Sequence, residues 1–227
     1  MRPVHCDNRG VELWRSVDLY CERTDPGLWS EPLNAVSNAA FLVAAALIVR
    51  HCRMRGAVPP DAWLLAVLVA LVGVGSFVFH TFGTVWAGWL DVTFILAFIY
   101  VFLARFLARV PKWGWKGIAA GLAGYWLFSR GVTLPFPAGA LNGSIAYLPA
   151  LLMLVGLAVW AGRRHYPGAG RLALGAGVFA VSLVFRTVDL ALCDIWPAGT
   201  HAVWHCLNAV VLWLIATGLV AARRQAA

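Results

Sequence analysis

Two histidines, His201 and His205, open the apolar run HAVWHCLNAVVLWLIATGLV one helical turn apart. Residues spaced i, i+4 share a helix face, so both imidazoles can chelate one ion. Far upstream, the stretch GSFVFH carries Ser76 and His80 with the same spacing. Three neutral imidazoles with an open fourth position make a catalytic zinc site, in which water loses a proton near neutral pH. Asp91 is then placed to accept and hand on that proton. Ser76 can donate a hydrogen bond to a developing oxyanion. Ala202, Val203 and Trp204 fill the gap between His201 and His205, so the pair lacks the glutamate of an HExxH motif.

Each of these residues has a plainer reading. A histidine at the end of a membrane span is commonly an interfacial hydrogen-bonder, Ser76 a small helix-packing residue, and Asp91 a cap at a helix N-terminus. The acid and base in RTVD, Arg186 and Asp189, read as a structural ion pair. What favours chemistry is convergence. His80, Asp91, His201 and His205 come from separate segments yet fall in one layer once the segments are arranged as spans.

Composition requires such spans. Of 227 residues, 61% are hydrophobic and 12% charged, against about 25% charged in ordinary soluble domains. Mean hydropathy is +0.76. Such a chain cannot cover its surface with polar groups, so lipid must be its main solvent. The net charge of +8 comes from arginines that flank apolar runs instead of forming one patch, which points to membrane topology and away from nucleic acid.

Seven runs read as membrane spans, about Pro32–Ile48, Trp63–Phe82, Trp86–Leu107, Trp115–Phe128, Ile145–Trp160, Leu172–Leu192 and His201–Val220, the fourth being the weakest because it is short and glycine-rich. A lipid-exposed backbone must satisfy its own hydrogen bonds, so these are helices. The expected fold is an all-α seven-transmembrane helix bundle in one membrane domain, 1–227. It comprises an outer segment 1–31, a bundle 32–220 and a cytoplasmic tail 221–227. Arg50, Arg53, Arg55, Arg105, Arg109, Lys112, Lys116, Arg163, Arg164, Arg171, Arg223 and Arg224 follow the odd-numbered spans. The positive-inside rule therefore puts the N-terminus outside and the C-terminus in the cytoplasm. The candidate site then faces the non-cytoplasmic side. The first apolar run begins only near Leu33, so no cleaved signal is expected.

Taken together, the SxxxH of Ser76–His80, Asp91 and the HxxxH of His201–His205 resemble the shared motifs of a superfamily of seven-span zinc hydrolases. That superfamily also contains adiponectin-receptor-like proteins. YCERTDPGLWSEPLNAVSN and RTVDLALC resemble its alkaline ceramidase branch, and the Arg- and Ala-rich composition suggests a bacterial member. The resemblance runs from about Asp18 to Asn208. It implies zinc on His80, His201 and His205, Asp91 as the acid–base group, and Ser76 as the oxyanion stabiliser. It implies hydrolysis of the amide of ceramide, or of a related N-acyl lipid, to a sphingoid base and a fatty acid. It also implies a calcium ion on Asp18, Glu22 and Glu31, although Thr24 stands where the family has an asparagine ligand. Finally, it implies a disulfide between Cys21 and Cys193, which an oxidising outer compartment permits.

Other classes fare less well. A seven-span lipid receptor with a structural zinc is the principal alternative, but adiponectin-receptor-like relatives place the N-terminus inside. A retinal pump needs a lysine in its last span, and both lysines, Lys112 and Lys116, fall in one loop. The expected partners are the bilayer and a membrane lipid substrate. Nothing in the sequence indicates nucleic acid or a protein partner.

Overall fold

The computed structural model describes residues 12–137 and 139–221. Arg223 and Arg224, like the N-terminal residues through 11, lie outside the described residues. The described chain is helical, without strands: α1 (Pro32–Ser37), α2 (Ala39–Arg53), α3 (Pro60–Phe82), α4 (Val85–Arg109), α5 (Trp115–Thr133), α6 (Leu148–Arg163), α7 (Ala169–Val188) and α8 (His201–Val220). Six stretches are long and apolar enough to cross a membrane: α1 with α2, then α3, α4, α6 with the 3₁₀ turn before it, α7 and α8. The remaining helix, α5, buries none of its residues and falls outside that set. Of the seven expected spans, the fourth therefore forms as a helix but lacks the apolar character of the other six.

Consecutive helices pack as neighbours, and α2 closes the ring against α8. The most enclosed helices are α3 and α8, which also carry the three histidines. Large apolar side chains such as Leu42, Val67, Leu96, Val155 and Val184 remain exposed on the outer faces. In water such a surface would be an aggregation liability; against lipid tails it is well solvated.

Punctuation in the sequence sets the helix ends. Pro32 and Pro60 start α1 and α3, where a missing N–H costs nothing. Gly83 ends α3 in the left-handed region at φ 56°, and a β-carbon there would also collide with the guanidinium of Arg23. The sixth expected span is shorter than read. Its α-helix stops at Val188, and Leu190–Leu192 forms a separate 3₁₀ turn.

The N-terminal segment is laced onto this end of the bundle. Val17 N–H donates to Gly83 O at 2.7 Å, Val85 N–H to Arg15 O at 3.1 Å, and Trp29 N–H to Thr81 O at 3.3 Å. A disulfide joins Cys21 to Cys193, with Cα atoms 5.2 Å apart. It fastens the segment to the connection between α7 and α8.

Candidate metal centre

His80 lies in the last turn of α3, while His201 and His205 occupy the first two turns of α8. One ring nitrogen from each lies within 4.8 Å of the others. The ring centroids are 4.5 to 5.2 Å apart. All three side chains are buried.

Neighbours fix which nitrogen is free in two of the three rings. His80 Nδ1 lies 2.5 Å from Glu31 Oε2. A carboxylate accepts, so Nδ1 carries the proton, and in the neutral ring the lone pair is on Nε2. Ser37 Oγ donates to Asn34 O at 2.8 Å and lies 2.7 Å from His205 Nδ1. With its hydrogen already committed, Ser37 accepts from His205 Nδ1–H, again leaving Nε2 bare. His201 Nδ1 is buried with no hydrogen-bond partner. Convergent imidazoles whose second nitrogens are anchored, plus one orphaned buried nitrogen, fit a resident metal ion of the kind that accepts nitrogen ligands.

Glu31 is in turn held by Arg23. The Arg23 Nε donates to Glu31 Oε1 at 2.5 Å, and both side chains are 1% exposed. Nη1 donates to the carbonyls of Asp25 and Gly27 at 3.3 Å each, and Nη2 to that of His80 at 3.2 Å. Burial alone would raise the Glu31 carboxyl, but its bonds to His80, Arg23 and Asn34 hold it below the usual range.

The acidic residues expected to hold calcium are engaged otherwise. Asp18, Glu22 and Glu31 do not converge. Glu22 accepts the N–H groups of Leu33 at 2.6 Å and Asn34 at 2.8 Å, capping α1. Glu31 faces a guanidinium, and Asp18 is exposed. Among the described residues, the histidine triad is the one group of three or more such donors gathered to hold a metal. Both glutamates satisfy themselves within the protein, so the residues present do not fit a calcium ion.

The expected Arg186–Asp189 pair does not form either. Because α7 ends before it, Asp189 turns to accept the N–H groups of Cys21 at 3.1 Å, Thr200 at 2.6 Å and His201 at 2.9 Å. It thus caps the helix that carries two of the histidines, where a negative charge suits the dipole.

Ser76 and Asp91 line one cavity with His201 and His205. Ser76 Oγ lies 3.5 Å from His205 Nε2. Asp91 lies almost two turns inside α4 and so does not cap it. Its Oδ1 is buried without a hydrogen-bond partner. Gly75 allows α4 this near: a β-carbon there would sit 2.7 Å from Phe94 Cδ2 and 3.3 Å from Asp91 Cα. Tyr20 stacks on His201 with centroids 3.7 Å apart. Below the triad, Ser182 Oγ donates to Trp204 O at 3.3 Å and accepts from Asn208 Nδ2 at 3.0 Å, stapling α7 to α8.

Away from this polar end the cavity wall is apolar, built by residues such as Phe41, Ile95, Phe102, Leu154 and Ile215. The volume open to the centres of water-sized spheres is about 100 Å³. The sequence reading missed Ser37 and Arg23. For Ser37, the signal was the polar set Asn34, Ser37 and Asn38 inside an otherwise apolar run. The chain matches no protein-family model, and no curated protein matches it either.

Proposed function

We propose that the protein is an intramembrane zinc-dependent lipid amidase, cleaving ceramide or a related N-acyl lipid to an amine base and a fatty acid. The observation that carries this reading is the triad of buried imidazoles, two of them lining the polar end of an apolar cavity together with a carboxylate that has a buried, unpartnered oxygen. His80, His201 and His205 would hold the zinc, which when bound supplies a Lewis acid and lowers the pKa of water.

The chain's own residues supply the rest. Glu31 and Ser37 keep His80 and His205 in the tautomers that present Nε2. Asp91, with a bare oxygen, accepts the proton of the attacking water and returns it to the leaving nitrogen. The Ser76 hydroxyl donates to the oxygen of the scissile carbonyl as charge gathers there. The apolar wall receives the acyl chain and excludes bulk water.

The bundle is proposed to cross the membrane seven times, with α5 completing the set, the N-terminus outside and the C-terminus cytoplasmic. The arginines at the ends of α2, α4 and α6 mark the cytoplasmic end. The triad lies at the opposite end of α3 and α8, towards the non-cytoplasmic side.

Metal content and fatty-acid release, measured on one purified preparation, test the reading. Wild type should hold about one zinc per chain and hydrolyse a lipid amide, and His205→Ala should lose both. Zinc without hydrolysis of any lipid amide would favour the receptor alternative. A folded, unchelated protein without zinc would refute the mechanism.

A further inference from the structure

Arg186 is a buried cation without an anion. It is 8% exposed, and Asp189, its expected partner, is committed to the start of α8. Among the described residues no carboxylate is in ion-pair contact with it. Its guanidinium stands among the rings of Tyr20, Tyr147 and Trp204, 5.7, 5.0 and 5.5 Å from their centroids. Nη1 donates to the Tyr20 hydroxyl at 3.2 Å, while Nε is buried with no partner at all. Arg186 lines the same cavity as Asp91, His201 and His205. Asp91 is the one carboxylate on that wall, and the proposed function assigns it to proton transfer.

Burying an unpaired charge is costly, and three aromatic faces offset only part of that cost. A guanidinium with a free Nε edge matches the planar oxygen pair of a carboxylate, or a phosphate. A neutral ceramide, which offers only hydroxyls, does not use it. The position also separates this point from the reacting centre. Tyr20 lies face-on to His201 while its hydroxyl meets Arg186, so an anion on Arg186 sits one tyrosine ring away from the imidazoles. The acyl chain belongs in the apolar part of the cavity, which leaves the amine side of the amide to carry the anion.

We propose that Arg186 receives an oxyanion on the amine side of the lipid, making the substrate class acidic N-acyl lipids, such as acylated amino acids. This inference rests on the lipid-amidase reading. Arg186 is then a specificity-determining residue, and Tyr20 links its position to the metal centre.

The test compares N-palmitoylglycine with N-palmitoylethanolamine, which share the acyl chain and the amide but differ in charge. Wild type should favour the acidic lipid in kcat/KM by roughly ten- to a hundredfold, the range of a charge-assisted hydrogen bond. Arg186→Gln should lose that preference while cleaving the neutral amide within a few-fold of wild type. Arg186→Lys should keep part of it. An unchanged preference in Arg186→Gln, or an equal fall for both lipids at full zinc content, overturns the proposal. Competition for bound radiolabelled N-palmitoylglycine in nanodiscs separates the two readings. Arg186-dependent discrimination between the lipids by a protein that cleaves neither would uphold the anion site and defeat the amidase. Palmitate competing as well as the acylglycine would assign the arginine to the released carboxylate and overturn the substrate class.

Discussion

Arg23 Nε lies 2.5 Å from Glu31 Oε1, a buried cation on the carboxylate that orients His80. Removing the guanidinium leaves that carboxylate buried and uncompensated, a change that destabilises by about 3–5 kcal/mol in comparable pairs. It also frees the residue that sets the His80 tautomer. Arg23→Met should therefore weaken zinc binding by roughly 10- to 100-fold, the usual effect of losing a ligand's hydrogen-bonding partner. Chelator competition on the purified protein measures it. An unchanged zinc affinity would make Arg23 a mere packing residue.

Because the glutamates are already engaged, added calcium should change neither the thermal midpoint nor the turnover of wild type. Titrating calcium into chelator-treated, zinc-reloaded protein checks this. A saturable rise in either quantity would show that the acidic segment can rearrange around a cation.

Asp91→Asn should keep zinc at the wild-type level and lower lipid-amide hydrolysis by about 100-fold or more, since general acid–base groups contribute on that scale. Asparagine preserves the shape but cannot take a proton. Zinc analysis and fatty-acid release from the same sample decide. Zinc lost together with activity would make Asp91 a ligand or an orienter of one.

Ser76 stands 3.5 Å from His205 Nε2, near enough to reach a substrate oxygen held at the triad. Ser76→Ala should lower kcat by about 100-fold with zinc intact, as removal of an oxyanion donor does. A kcat within two- or threefold of wild type would return Ser76 to helix packing, the plainer reading of a small residue in a membrane helix.

The triad was legible in the sequence because i, i+4 spacing is a property of the helix alone, and because polar side chains stand out within apolar runs. Relations between segments were less legible. Arg186 and Asp189 are three residues apart, and a helix running through both would have paired them. The α7 helix ends at Val188, so Asp189 serves α8 instead. Glu22 and Glu31 read as hard oxygen ligands, yet a carboxylate serves equally well as a helix cap or a guanidinium partner. Which of these it becomes depends on chain-distant geometry that spacing does not encode. The weak fourth span was visible for a local reason: its glycines persist in α5, which buries nothing.

The Cys21–Cys193 bond closes a loop of sequence separation 172, so its loss should matter both globally and at the site. A disulfide is typically worth about 2–4 kcal/mol, largely by restricting the unfolded chain. Locally, Cys21 adjoins Tyr20, which stacks on His201 and accepts from Arg186. Cys21→Ser combined with Cys193→Ser should lower the thermal midpoint in detergent and also weaken zinc binding, because the tyrosine is no longer held against the histidine. Tyr20→Phe, with the disulfide intact, keeps the ring on His201 and removes only the hydroxyl. It should retain zinc affinity and alter the response to acidic lipids alone. If the double serine variant lost thermal stability but bound zinc as tightly as wild type, the disulfide would be a clamp on the fold with no part in shaping the metal centre.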